Sequence, residues 1–209
     1  MNTEELITQL ETDINEVYKA GEEANNLAFW DSYTDKGKRS YCRYMFGEAM
    51  WTDAIFNPPY PICPVDCRFM FQNSDITSVT AKQVDFSKAN GYRDVFTNSA
   101  LITLEFKIKY GIAFNLTFAG CTALKNLTII GEIATSGFDV SPCEELSSDS
   151  IKSIFSALST TKSGLSITLS KTSVNNAFEI DVDDETTYPE GSEYYELRHS
   201  RDNWGINYM

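Results

Sequence analysis

The chain has 209 residues, enough for one large domain, and its 42% hydrophobic and 13% aromatic content can fill a core. Its 30 acidic and 17 basic side chains leave a formal net charge of −13. That balance argues against nucleic acid, whose binding depends on Lys and Arg neutralising phosphates, and against adsorption to anionic lipid.

The opening residues, MNTEELITQLETD, are acidic and helical where a secretory signal has a basic start and an apolar run, so the expected place of synthesis is a cytoplasm. Thr3 is placed as N-cap, with Glu4 and Glu5 in the first turn, where negative charge suits the helix dipole. Ile7, Leu10, Ile14, Val17, Gly21 and Ala24 follow alternating spacings of three and four, the a/d seam of a coiled coil. Such a seam either self-associates or lies as an amphipathic face on the domain. Apolar stretches such as Leu127 to Ile130 fall far short of the ~20 residues that span a bilayer.

Phe29-Trp30-Asp31-Ser32-Tyr33 comes next, with aromatics suited to closing the open end of a stack. Thr34 to Lys38 reads as a turn. A repeat then begins. Cys42-Arg43-Tyr44-Met45-Phe46 recurs as Cys67-Arg68-Phe69-Met70-Phe71 and as Tyr92-Arg93-Asp94-Val95-Phe96, a period of 25 residues. Five positions after each Phe stands an apolar residue: Trp51, Ile76 and Leu101. Periods of this length mark solenoids, whose units bury their apolar edges only against neighbours. Phe118 follows Phe96 by 22 residues, and Phe138, Cys143 and Leu146 give a last echo. Phe46, Phe71, Phe96 and Phe118 are therefore predicted to stack in a buried ladder. Leu101 to Phe106 and Leu124 to Ile130 read as short strands, with the Phe-bearing pentapeptides as turns or short helices between strands.

Ser147-Ser148-Asp149 starts a helix with an apolar face of Ile151, Ile154, Phe155 and Leu158. Gly164 ends the connection, and Leu165, Ile167 and Leu169 alternate as a strand. The tail from Ala177 is acidic and aromatic, with Asp181, Asp183, Asp184 and Glu185 in a loop and Trp204 to Tyr208 as a closing strand. The predicted fold is an α/β repeat: an N-terminal helix over 1–27, a short irregular solenoid with its cap over 28–146, and a helix-strand cap with tail over 147–209.

Residues able to carry chemistry are few. His199 is the only histidine and sits beside Arg198 in a charged tail, so it reads as a surface residue rather than a base or ligand. Cys63 and Cys67 lack the second ligand pair of a structural zinc site, and Cys121 and Cys143 are too scattered to supply it. The odd count of five cysteines and the matched repeat positions of Cys42 and Cys67 point to free, buried thiols. The acidic run 181–185 could offer oxygen ligands to calcium but lacks the Gly and distal Glu of an EF-hand, so a solvated loop is the expectation. Asn115 and Asn126 match the glycosylation sequon, read here as repeat asparagines beside strands. No catalytic residue, cofactor site or metal site is assigned.

Phe118-Ala119-Gly120-Cys121-Thr122-Ala123-Leu124-Lys125-Asn126-Leu127-Thr128-Ile129 resembles the phenylalanine-cysteine-leucine unit of BspA-like leucine-rich repeats. Phe29 to Tyr33, then Gly37 to Phe46 and Trp51-Thr52-Asp53, is similar to the opening of such repeat proteins from phages and prophages of gut bacteria. Ser147 to Leu158 followed by Leu165 to Leu169 is similar to their closing helix and strand, so the resemblance spans about 28 to 178. The chain departs from the family at its end, where Asp181 to Glu185 precede the last strand. The resemblance implies a non-enzymatic leucine-rich-repeat virion protein of the tail or baseplate, made in the host cytoplasm. Its implied partners are other virion proteins and a host-surface receptor, and it would form a homo-oligomer, dimer or trimer. The alternatives are a head decoration or fibre component, a bacterial cell-surface adhesin and, most distant, an enzyme.

Overall fold

The computed structural model describes residues 9, 12–14, 16–17, 20–21, 24, 26–31, 42–47 and 51–209. Strands β1 (Ser78–Val79), β2 (Thr103–Lys107) and β3 (Asn126–Ile130) form one parallel sheet in that order. Ser78 pairs with Thr103, and Thr103 with Asn126. Leu104 and Phe106 of β2 and Leu127 and Ile129 of β3 point into the core, while their neighbours along each strand face outward. Pairing starts later than the apolar runs from Leu101 and Leu124 suggest, for a local reason. The Thr77 carbonyl accepts both the Ile102 and Thr103 amides (2.8 and 3.0 Å), and the Ile102 carbonyl accepts both the Lys125 and Asn126 amides (3.0 and 2.9 Å). The chain bends at each doubled acceptor, and regular pairing follows the bend.

Side chains stand where further strands would pair at both ends of this sheet. On the β1 side, the Asp53 carboxylate accepts the amides of Thr77 (2.8 Å) and Ser78 (3.2 Å). On the β3 side lies helix α1 (Ser148–Ala157), capped by the Ser147 hydroxyl, which accepts the Ser150 amide at 3.3 Å. The Ser150 hydroxyl accepts the Leu127 amide (2.8 Å) and donates to the Lys125 carbonyl (2.9 Å), and the Ser153 hydroxyl accepts the Ile129 amide (2.9 Å). Both ends are thereby denied to another strand.

A second parallel sheet holds β4 (Phe138–Val140), β5 (Leu165–Leu169) and β6 (Trp204–Tyr208), in that order. Helix α1 lies in the β4–β5 connection; helices α2 (Lys171–Phe178) and α3 (Glu193–His199) lie in the β5–β6 connection. Neither helix is expected from the sequence, which reads as an acidic, aromatic tail from Ala177 onward and carries no marked element over the stretch of α2. They start because the Ser170 and Ser192 hydroxyls accept the Ser173 (3.2 Å) and Tyr195 (3.4 Å) amides. They dock through buried Val174 and Tyr194.

The pentapeptides form a third column, laid one over the next. Amides of Phe46, Phe71 and Phe96 donate to the carbonyls of Met70, Val95 and Thr117 in the following layer, at 2.8, 2.8 and 3.1 Å. The rings of Phe46, Phe71, Phe96 and Phe118 are buried and stack at centroid separations of 5.3, 5.6 and 5.8 Å. Phe118 then meets Phe138 of β4 edge-on at 5.7 Å, which joins this column to the second sheet. At the other end Trp30 is fully buried against Phe46, Trp51 and Phe56, with centroids 6.2, 6.0 and 6.1 Å away. Phe29 is exposed, so Trp30 forms the aromatic cap; Ser32 and Tyr33 lie outside the described residues.

Every described residue from 9 to 31 is helical. Ile14 and Val17 are 65% and 74% exposed, and Gly21 and Ala24 are exposed as well. The described part of the heptad seam therefore does not rest on the stack; Thr3, Ile7 and Leu10 and the turn at 34–38 lie outside the described residues. No helix among the described residues is long and apolar enough to cross a membrane.

Phe71 touches rings on both sides of its layer, with Phe56 edge-on at 5.4 Å. Phe71→Ala is expected to cost about 3–5 kcal/mol, the range for buried aromatics cut to alanine. Urea unfolding of the two proteins measures it, and an unmoved midpoint would contradict the buried column.

Candidate functional site

Each pentapeptide reverses the chain within five residues. Met45, Met70 and Thr117 amides donate back to Cys42, Cys67 and Phe114 carbonyls at 3.1, 3.1 and 3.3 Å. The reversal places the third residue of every turn in the left-handed region: Tyr44 (φ 56°), Phe69 (61°), Asp94 (53°) and Leu116 (51°). The fourth and fifth residues then point inward and the second faces outward; the third is exposed at Tyr44 and Leu116, half-buried at Phe69 and buried at Asp94. Left-handed backbone costs an L-residue about 1–2 kcal/mol, and only Gly, Asn and Asp adopt it readily. Asp94 suits the position. Tyr44, Phe69 and Leu116 do not; Leu116 is 64% exposed and recovers little by packing, and Tyr44, 56% exposed, packs through one ring face on Phe69.

These outward residues form a contiguous surface. The Tyr44 and Phe69 rings stack at 4.6 Å, inclined by only 4°, and the Arg93 guanidinium lies 6.0 Å from the Phe69 centroid. Asp66 accepts two bonds from Arg68, Nε to Oδ1 at 2.9 Å and Nη2 to Oδ2 at 2.7 Å, and holds Arg43 at 3.4 Å. The bond from Arg68 holds the Asp66 carboxyl below its ordinary range. Since this carboxyl is lowered on folding, the pairing adds stability above the ordinary carboxylate range and loses it as pH falls toward the lowered value. Arg93 pairs with Asp94 at 3.1 Å. Between these layers runs a groove of about 390 Å³, lined by Asp66, Arg68, Asn90, Gly91, Arg93 and Asn115. Fixed guanidinium forks beside aromatic faces can grip planar anionic or aromatic groups.

The residues singled out from sequence lie elsewhere. Cys42, Cys67, Cys121 and Cys143 are buried, Cys63 is half-buried, and all five are free thiols. Burial pushes the Cys67 thiol up to about 12 and raises Cys121 and Cys143 as well. Cys67 donates to the Gly91 carbonyl at 3.1 Å and Cys121 to the Phe96 carbonyl at 2.9 Å, so both sulfurs tie adjacent layers together. Cys121 sits 3.6 Å from the buried Ser99 hydroxyl, its counterpart in the preceding layer. His199 is exposed at the end of α3, with Nδ1 2.8 Å from the Tyr195 carbonyl and its ring stacked on Tyr195 at 3.9 Å. In the acidic loop, Asp181 and Asp183 both engage Lys171, and Asp184 accepts the Thr186 amide at 3.0 Å. Glu185 opens the short 3-10 turn Glu185–Thr187. Among the described residues no group of three His, Cys, Asp or Glu side chains could hold a metal ion. Asn126 donates from β3 to Thr103 Oγ1 at 3.3 Å, and Asn115 lines the groove.

The Arg43, Arg68 and Arg93 column was not singled out as a site, although the arginines recur at the repeat period and make up half of the chain's six arginines. Their signal is a constant charged residue at an outward position, which packing does not require. At neutral pH without reductant, a thiol reagent is expected to modify Cys63 first and the four buried thiols only on unfolding. The unfolded chain should titrate five thiols; fewer would reveal a bridge or bound metal.

Comparison with family models, with curated proteins and with solved structures found no match.

Proposed function

We propose that this chain is a non-enzymatic virion protein of a phage, associated with the tail or baseplate, in which a BspA-like leucine-rich-repeat solenoid presents the outward turn column to a host receptor or a neighbouring virion protein. The observation that carries the reading is the occupancy of the left-handed positions. Tyr44, Phe69 and Leu116 stand where Gly or Asn would relieve strain, and at Tyr44 and Leu116 that strain goes into large side chains held toward solvent, with half-buried Phe69 stacked on Tyr44. Strained residues held in place by their surroundings concentrate at binding sites. Tyr and Arg, which stand side by side here as Arg43-Tyr44, are also the residues enriched where interfaces concentrate their energy. Assignment to a virion rests on the family resemblance of residues 28 to 178.

Replacing Tyr44 and Leu116 together with Asn should leave the denaturation midpoint unchanged or raised, by up to about 1–2 kcal/mol per residue, as left-handed strain is relieved. The same variant should abolish binding to host cells or purified particles lacking this protein, measured by sedimentation. A destabilised variant would mean that these side chains serve packing; a stable variant that still binds would remove the turn column from the interface. Mass spectrometry of purified particles tests the virion assignment separately, and absence of the protein beside tail or baseplate components would overturn it.

The helix completes the proposal as an oligomerising element, dimeric or trimeric. Its seam is exposed in the single chain at Ile14 and Val17, and a helix this short needs an apolar partner to be stable in water. Light scattering of the full chain and of one starting at Leu27 is expected to show an oligomer that is lost on truncation. Two equally stable monomers would contradict self-association.

A further inference from the structure

The two ends of the first sheet are closed by Asp53 and by the serines of α1, and the Phe46 end of the turn column is closed by Trp30. Among the described residues, nothing closes the outer side of β6 in this way. It is the last strand of the second sheet and pairs only with β5. The Met209 amide donates to Leu169 at 3.1 Å. Counting back along β6, alternation turns the Asn207 and Gly205 amides toward β5 and the Ile206 and Tyr208 amides outward. Gly205 and Asn207 are exposed, and no charged side chain stands on the strand itself to discourage pairing.

Beside this edge lies a cleft of about 820 Å³, bounded by Trp204 and Tyr208 of β6 on one side and by the 182–190 segment and α3 on the other. Tyr188 and Tyr195 supply aromatic walls. Tyr188 is fixed by its hydroxyl, which donates to the Val182 carbonyl at 3.2 Å, and Tyr208 by its bond to the Tyr194 hydroxyl. The charge of the cleft is one-sided: Glu185, Glu190 and Asp202 against Arg198. The three carboxylates form no ion pair among the described residues, unlike Asp181 and Asp183, which hold Lys171.

We propose that the outer edge of β6 and this cleft accept an extended, Lys- or Arg-bearing segment of another protein chain, added to the sheet as a further strand. Main-chain bonds to Ile206 and Tyr208 would supply affinity, and alternate side chains reaching the tyrosines and carboxylates would supply selectivity. The proposal concerns the opposite end of the stack from the helix seam, and it stands whether or not the chain is a virion protein.

The test has two stages on the full chain. Hydrogen exchange followed by NMR is expected to show the Ile206 and Tyr208 amides exchanging freely while those of Gly205 and Asn207 are protected. If all four are protected at low protein concentration, the edge is already covered and the proposal falls. Protection of all four that grows with protein concentration would mean that a second copy fills the edge, which also overturns it. Next, a library of blocked octapeptides, with Lys at alternate positions and the others randomised, is screened by fluorescence polarisation. Binders should protect Ile206 and Tyr208, lose binding when alternate amides are N-methylated, and weaken roughly two- to fivefold against Glu185→Gln/Glu190→Gln, the range for exposed ion pairs. No binder at millimolar concentration, N-methylated peptides that bind equally, or a Glu-bearing library that binds as well would each overturn the proposal.

Discussion

The stacked rings of Phe46, Phe71, Phe96 and Phe118, 5.3 to 5.8 Å apart, set a spacing that every neighbouring ladder follows. A ring can lie over its successor only if each turn reverses the chain identically, and the reversal requires one left-handed residue. At Tyr44 and Leu116 that residue projects into solvent, at Phe69 it is half-buried and at Asp94 it is buried, so the constraint that fills the core also sets which side chains stand in register on the other side. Core and exposed turn surface are two sides of one backbone turn. Gly120 marks where the tolerance ends. In the two preceding layers its position is held by left-handed Asn73 and Asn98, whose side chains bond at 3.4 Å. A Cβ on Gly120 would collide with the Asn98 amide oxygen.

The Phe46 end of the turn column and both ends of the first sheet are closed, and stability depends on how each closure is made. Here the closures are chemically different. Trp30 covers an aromatic face with an aromatic ring. Asp53 and the Ser150 and Ser153 hydroxyls satisfy backbone amides directly, in the register a further strand would have used. Each leaves few buried amides without a partner, and unpartnered amides are what make an open sheet costly to bury and prone to pairing.

The early layers were legible in the sequence because stacking places like over like: Phe46, Phe71 and Phe96 are the same residue for the same geometric reason. Legibility fades after Phe118 because the layers change length. Paired residues are 25 apart at Ser78 and Thr103 and 23 at Thr103 and Asn126, then 29 at Phe138 and Ile167 and 39 at Leu165 and Trp204, once helices enter the connections. Helix α2 was hidden because its sequence, KTSVNNAF, carries no apolar stripe; its docking needs only Val174. Helix α3 left a readable trace in Ser192 followed by Glu193 and Glu196, a cap and acidic first turn masked by the acidity of the whole tail. The left-handed turns were illegible for a plainer reason. Tyr, Phe and Leu do not announce positive φ, and only Asp94 hinted at it. The candidate surface was therefore visible as residues and invisible as a surface.

Native-state hydrogen exchange at the turn column tests the stacked arrangement most directly. The Phe71 and Phe96 amides are bonded to the next layer at 2.8 and 3.1 Å beneath buried rings. They should exchange only through opening events close in free energy to global unfolding, with Phe46 at the stack's end somewhat less protected. Exchange of Phe71 and Phe96 as fast as that of exposed loop residues such as Lys162 would contradict the stacked column and the display surface built on it.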